Sequence, residues 1–200
     1  MKKEEKKLLI LNILIILLEI LGFALTLKLT KSIAIQYYTE DSNLLMLITS
    51  IIFTYYLIAK KEIPKWLDIL YHMAVLGLTI TFLVVLFVLA PMYNFNYVGL
   101  LFNGIMLFFH TLCPILAIVT YLFFYKNKIT KKHLPYTMLF TIIYSVIIII
   151  CNICRVIEGP YPFLMIYKQP IYLSIIWVIV IDGGAYLLSK GVLALKEKLK

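Results

Sequence analysis

Six stretches of about twenty consecutive apolar residues leave this chain few ways to fold. They run over about 8–29, 40–59, 67–90, 99–124, 135–153 and 170–189. An α-helix rises about 1.5 Å per residue, so roughly 20 apolar residues cross a hydrocarbon core about 30 Å thick. Inside that core every backbone N–H and C=O needs a partner. A helix supplies one within its own segment, and an open strand does not. The expectation is an all-α, integral membrane bundle of six transmembrane helices, N-in and C-in, with 1–200 as one domain. With 63% hydrophobic and 14% charged residues, the chain lacks the polar surface that a soluble domain of 200 residues needs. The connections are short, and no internal repeat or low-complexity linker is evident. The first block follows a basic start, as a signal peptide would. It is too long for an h-region and lacks a clear small-residue cleavage site, so it reads as a helix.

Charge sets the orientation. Lys2, Lys3, Lys6 and Lys7 precede the first block, and Lys60, Lys61 and Lys65 follow the second. Lys126, Lys128, Lys131 and Lys132 follow the fourth, and Lys190, Lys196, Lys198 and Lys200 follow the sixth. Fifteen of the 19 Lys and Arg residues thus fall on one side, against Lys28, Lys31, Arg155 and Lys168 on the other. Cytoplasmic loops carry the Lys/Arg excess, so the basic side is read as inner and the membrane as the cell (plasma) membrane. The net charge of +9 is then accounted for by topology and anionic lipid, not by nucleic acid. Tyr37, Tyr38, Tyr93, Tyr97, Tyr161 and Tyr167 would mark the outer interface, and Trp66, Tyr125 and Tyr136 the inner one. Cys113, Cys151 and Cys154 read as buried free thiols, because one C-x-x-C without further ligands is a weak metal signal. No metal or cofactor is expected. Oligomeric state is left open.

Ionisable residues within a span are functional candidates. Glu19, His110 and Asp182 each lie about eleven or twelve residues into their blocks, which gives them similar expected depth. A carboxylate bonded to one imidazole nitrogen would fix its tautomer and raise its basicity. The plainer reading is a polar network that holds helices together, and Gly183 and Gly184 beside Asp182 favour close packing. A second group, Thr39-Glu40-Asp41-Ser42-Asn43, opens the second block. It has the composition of a helix N-terminus, with acids that complement the helix dipole. Thr39 and Ser42 also share one helix face, and a hydroxyl near a neutral His can be activated as a nucleophile. A third group is Asn152, Arg155 and Glu158, followed by Gly159-Pro160-Tyr161-Pro162, which enforces a turn. Arg155 and Glu158 can pair with each other, or bind a polar head group at the outer mouth. His72 and His133 suggest no site.

Tyr38-Thr39-Glu40-Asp41-Ser42-Asn43-Leu44-Leu45 resembles the Y-T-x-x-S-N-L-L pattern of a group of small bacterial multi-pass proteins. That group distantly resembles the androgen-induced family of eukaryotic membrane hydrolases. His110 with Pro114 is similar to their H-x-x-x-P segment, and Tyr161-Pro162-Phe163-Leu164 to their Y-P-F-L segment. The resemblance implies hydrolysis of fatty-acid esters of hydroxy fatty acids, with Thr39 as nucleophile and His110 as base. Ser42 is an equally available hydroxyl on the same face. If the second helix begins at Thr39, that hydroxyl lies near the outer surface while His110 lies deep. The two then meet only if the second helix starts near Ile33 or the fourth is shifted outward; otherwise Ser42 is the better partner.

The leading expectation is therefore a lipid-ester hydrolase or acyl-transfer enzyme acting on membrane lipid or a lipid-like molecule. Asp182 or Glu19 would orient His110, Arg155 would hold a lipid carboxylate or phosphate, and Asp41, Asn43, Asn152 and Glu158 would support the site. The alternatives are a non-enzymatic sensor, binder or small transporter built on a Glu19–His110–Asp182 cluster, and a purely structural membrane subunit.

Overall fold

A computed structural model describes residues 3–126 and 129–199. The basic positions Lys2, Lys128 and Lys200 lie outside them. Among the described residues there is no strand, and six helices are long and apolar enough to cross a membrane. They are α1 (Lys3–Thr30), α2 (Tyr38–Ile58), α3 (Lys65–Met92), α4 (Leu107–Phe124), α5 (Lys131–Ile153) and α6 (Ile171–Lys198). The fold is an all-α six-helix membrane bundle.

One boundary differs from the expected pattern in a way that matters. The apolar block at 99–124 is not one helix. A short helix, Tyr97–Phe102, precedes a break, and α4 begins only at Leu107. Asn96 caps the short helix by accepting from the Gly99 N–H at 2.9 Å. At the far end Gly104 takes φ +54°, a left-handed conformation that reverses the chain and that a side chain would resist. His110 therefore sits three residues past the start of α4, not at mid-depth. Hydropathy cannot see such a break, because both pieces are apolar.

The bundle is packed unevenly. In its most apolar stretch α3 is 61% buried, whereas α6 is only 6% buried. So α3 is the central helix and α6 presents most of its surface outward. Toward the basic end the core joins α1 to α4 around Ile15, Met46, Phe53, Tyr71, Cys113 and Tyr121. Toward the other end it joins α2, α3, α5, α6 and the connection after α5 around Tyr38, Ile80, Tyr144, Tyr161, Phe163 and Ala185. That connection folds back over the bundle mouth. Tyr161 and Phe163 stack at 5.3 Å between centroids, and Phe163 meets Trp177 of α6 at 5.4 Å. Gly159, at φ +89°, permits the fold-back: an added Cβ would lie 2.5 Å from the Leu164 carbonyl oxygen.

Prolines shape two of the helices. Pro91 and Pro114 lack the N–H that would bond four residues back, and their rings crowd that carbonyl. The turns before them widen to π-helix at Val85–Leu89 and Leu107–Leu112. In the second, the Cys113 N–H bonds the Phe108 carbonyl, five residues back. Such bulges recur at functional sites, and this one carries His110.

Candidate active site

The non-basic end of the bundle brings Thr39 of α2 and His110 of α4 together. Thr39 lies in the first turn of α2, and the late start of α4 raises His110 to the same level. The Thr39 Oγ1 lies 3.3 Å from His110 Nε2. The other ring nitrogen, Nδ1, lies 2.6 Å from the Leu100 carbonyl oxygen. A carbonyl only accepts, so Nδ1 carries the proton. In the neutral ring Nε2 then bears the lone pair and Thr39 donates to it. That is the arrangement of a nucleophile and its general base, with a backbone carbonyl fixing the tautomer.

Leu100 is available because the last carbonyls of a helix have no partner inside it. The short helix ends at Phe102, and His110 and Thr111 cap it from α4. Thr111 Oγ1 donates to the Leu101 carbonyl at 2.7 Å. The break in the fourth apolar block thus both lifts the imidazole and supplies its orienting group.

The neighbours of Thr39 hold it from several sides. Ser42 Oγ donates to the Thr39 carbonyl at 3.1 Å and shares a hydrogen bond of 3.0 Å with Thr81 Oγ1. Ser42 is fully buried and is engaged in positioning α2, not in bonding His110. Asn43 Nδ2 donates to the Thr39 carbonyl at 2.7 Å and to the Phe109 carbonyl at 3.3 Å, tying α2 to α4. Gly22 of α1 lets Phe109 lie against it, since an added Cβ would stand 2.5 Å from the Phe109 ring. The Thr39 N–H donates to the Tyr161 hydroxyl at 3.4 Å. Tyr38 is anchored through its N–H to Tyr144 Oη at 3.0 Å, and through its hydroxyl to Thr141 Oγ1 at 2.8 Å.

Tyr161 was expected only as an interface anchor and as part of a motif. It is buried, and its hydroxyl reaches both the backbone and the side chain of Thr39. Burial pushes its pKa up to about 12, so it stays an O–H donor at neutral pH. A donor beside a nucleophile is what a developing oxyanion requires. The sequence offers no signal for this, because the contact spans 122 positions.

Thr39 and Tyr161 line a partly open cavity of about 50 Å³ whose other walls are largely apolar. Asp182 also lines it, half-buried, and accepts from Ser145 Oγ at 3.2 Å. Asp182 does not orient His110, and neither does Glu19. Glu19 is fully buried, and its carboxyl faces the Cys113 thiol. The three ionisable side chains expected at one depth therefore belong to three separate environments. Asp41 is half-buried, and Glu40 accepts from the Ala34 N–H to close the turn before α2.

The third group divides in a similar way. Glu158 pairs with Lys168 at 2.7 Å instead of with Arg155, whose guanidinium lies 4.9 Å over the Tyr167 ring. Asn152 is buried and donates to the Leu164 carbonyl at 3.2 Å, fastening the connection that carries Tyr161. Among the cysteines, Cys113 is buried as expected, but Cys154 is exposed and Cys151 partly so. Among the described residues no group of three or more His, Cys, Asp or Glu side chains converges as a metal site.

A second imidazole, His72, is fully buried near the basic end. Its Nδ1 lies 2.6 Å from Tyr121 Oη and its Nε2 3.1 Å from Ser189 Oγ. This resembles a nucleophile–base pair in composition, yet Ser189 is also bonded to Thr137 at 2.9 Å. It joins α3, α4, α5 and α6. No family model, curated protein or solved structure matches the chain.

Proposed function

We propose that this protein is a membrane-embedded acyl-ester hydrolase acting on a lipid or lipid-like ester in the outer leaflet of the cell membrane. The observation that carries the reading is the chain Thr39 Oγ1–His110 Nε2, His110 Nδ1–Leu100 carbonyl, with Thr39 lining a mostly apolar cavity. The motif resemblance around Thr39, His110 and Tyr161 points the same way.

In the reaction, Thr39 attacks the ester carbonyl while His110 Nε2 takes its proton. The carbonyl π-pair moves onto oxygen, where the Tyr161 O–H donates to it. The intermediate collapses, the ester C–O bond breaks, and His110 returns the proton to the departing alkoxide. Water then attacks the acyl-threonine with His110 again as base, releasing the fatty acid and restoring Thr39. Transfer of the acyl group to another alcohol would follow the same second half.

The test is hydrolysis of a chromogenic medium-chain ester by purified protein in micelles, with labelling by a serine/threonine-hydrolase probe alongside. Thr39→Ala and His110→Ala each lower turnover at least 100-fold, and Thr39→Ala abolishes labelling, while both variants remain monodisperse. Turnover at the wild-type rate in folded His110→Ala protein would refute the assignment. A sensor or transporter built on Glu19, His110 and Asp182 is the weaker reading, because His110 meets Thr39, Asp182 meets Ser145 and Glu19 faces Cys113.

A further inference from the structure

The cavity at Thr39 is too small to hold a lipid. About 50 Å³ accommodates an ester group or a few waters, not an acyl chain. The rest of any lipid substrate must lie elsewhere, and one groove shares four wall residues with the cavity. Ile149 of α5, Phe163 and Leu164 of the outer connection, and Val178 of α6 form walls of the cavity and also of a groove of about 700 Å³. That volume falls within the roughly 300–1,000 Å³ of ligand sites. The groove runs between α5 and α6, the least buried helix, and is lined almost wholly by aliphatic and aromatic side chains.

The groove in turn meets a polar mouth of about 560 Å³, and Tyr167 belongs to both. Arg155, Lys168 and Glu158 line that mouth. Glu158 is engaged by Lys168, so the Arg155 guanidinium, stacked on Tyr167 and with no carboxylate in reach among the described residues, gives the mouth a net positive charge. Arg is the side chain suited to phosphate, through its planar fork of donors. Cationic mouth and apolar groove thus adjoin as the phosphate and an acyl chain of a phospholipid do, with the mouth at the end of the bundle and the groove running inward from it.

We infer that the α5–α6 groove is a lateral portal for an anionic phospholipid of the surrounding leaflet, with its phosphate on Arg155 and one acyl chain in the groove. The binding site does not rest on the hydrolase reading. Trp177 meets Phe163 of the groove wall at 5.4 Å between centroids, and Trp66 is the only other tryptophan. In Trp66→Phe protein, Trp177 therefore reports an occupied portal.

The experiment places that protein in phosphatidylcholine nanodiscs containing a small fixed fraction of phospholipid with a nitroxide on its acyl chain. Nitroxide-labelled phosphatidylglycerol quenches Trp177 more strongly than matched phosphatidylcholine. Arg155→Gln weakens the apparent affinity for phosphatidylglycerol about five-fold and removes the preference, as expected for one basic residue near a membrane surface. Arg155→Lys retains part of the preference, because it keeps the charge and loses the planar fork. Equal quenching by the two phospholipids, or unchanged quenching in Arg155→Gln, overturns the portal. Stronger quenching by nitroxide-labelled stearic acid than by phosphatidylglycerol overturns the phospholipid and assigns the site to a free carboxylate. Loss of preference with Thr39-dependent hydrolysis intact removes the portal alone. Quenching without hydrolysis removes the enzyme alone.

Discussion

At the scale of single residues, hydroxyl groups of the same chemistry are separated by what they touch. Thr39 donates to an imidazole and faces a cavity, whereas Ser42, one turn on, is buried between the Thr39 carbonyl and Thr81. Ser42→Ala is expected to retain turnover within a few-fold of wild type, and to cost stability because Thr81 loses a buried partner. Tyr161→Phe separates binding from chemistry in the opposite sense. It removes one O–H beside Thr39 and almost no volume. If Tyr161 serves the transition state, kcat falls roughly 100-fold while KM stays within about two-fold. Steady-state kinetics on the chromogenic ester decide the matter. A raised KM with unchanged kcat would reduce Tyr161 to part of the cavity wall. The sequence places Thr39, Ser42 and Asn43 together because they are neighbours on one helix turn. It cannot rank the two hydroxyls, since the ranking depends on Thr81, Phe109 and Tyr161, which lie far away in the chain.

At the scale of elements, irregular helix geometry determines where His110 sits. Apolar runs reveal how many spans there are, because hydrocarbon imposes length and composition on each one. Five of the six helices begin or end within a few residues of the expected bounds at the site-bearing end. The fourth does not, and depth counted from residue 99 puts His110 too far in. The break at Asn103-Gly104 and the π turn before Pro114 are decided by backbone hydrogen bonding, which hydropathy does not register. Pro114 was visible in the sequence as part of a motif, and its mechanical role follows only from the Cys113-to-Phe108 bond. Restoring an N–H at that position invites the turn to tighten to ordinary α-helix. Each residue of an α-helix turns about 100°, so removing the extra residue from the bulge swings His110 away from Thr39 by a large angle. Pro114→Ala is therefore expected to lower turnover at least ten-fold with helical content unchanged by circular dichroism and thermal stability equal or higher. Full activity in that variant would show that the imidazole is held by Leu100 and Thr39 without help from the bulge.

For the whole molecule, the two ends of the bundle divide the work between them. The non-basic end holds the candidate nucleophile, a cavity and a groove. At the basic end the polar groups face one another. His72 joins Tyr121 of α4 to Ser189 of α6, Ser189 continues to Thr137 of α5, and Tyr125 donates to Asp68 of α3. Lys196, almost fully buried, donates to the Tyr121 carbonyl and lies 3.7 Å over the Tyr121 ring. These contacts fasten α6, which is otherwise loosely packed, at the end remote from the portal. A helix fixed at one end and sparsely packed along its length can yield at the other, which suits lateral entry of a lipid between α5 and α6. Replacing His72 with Leu keeps the volume close but leaves the Tyr121 and Ser189 hydroxyls each short of a partner. Interhelical hydrogen bonds in membranes contribute about 0.6 kcal/mol on average and up to roughly 1.7. His72→Leu is accordingly expected to lose about 1–2 kcal/mol, read as a lower midpoint of thermal unfolding in micelles. Well below that midpoint its ester turnover should match wild type, because Thr39, His110 and Leu100 are held by a separate set of contacts. His110→Leu should reverse the pattern, with turnover abolished and the midpoint changed less. If His72→Leu abolishes turnover while the protein is still folded, the two ends are coupled and the division fails.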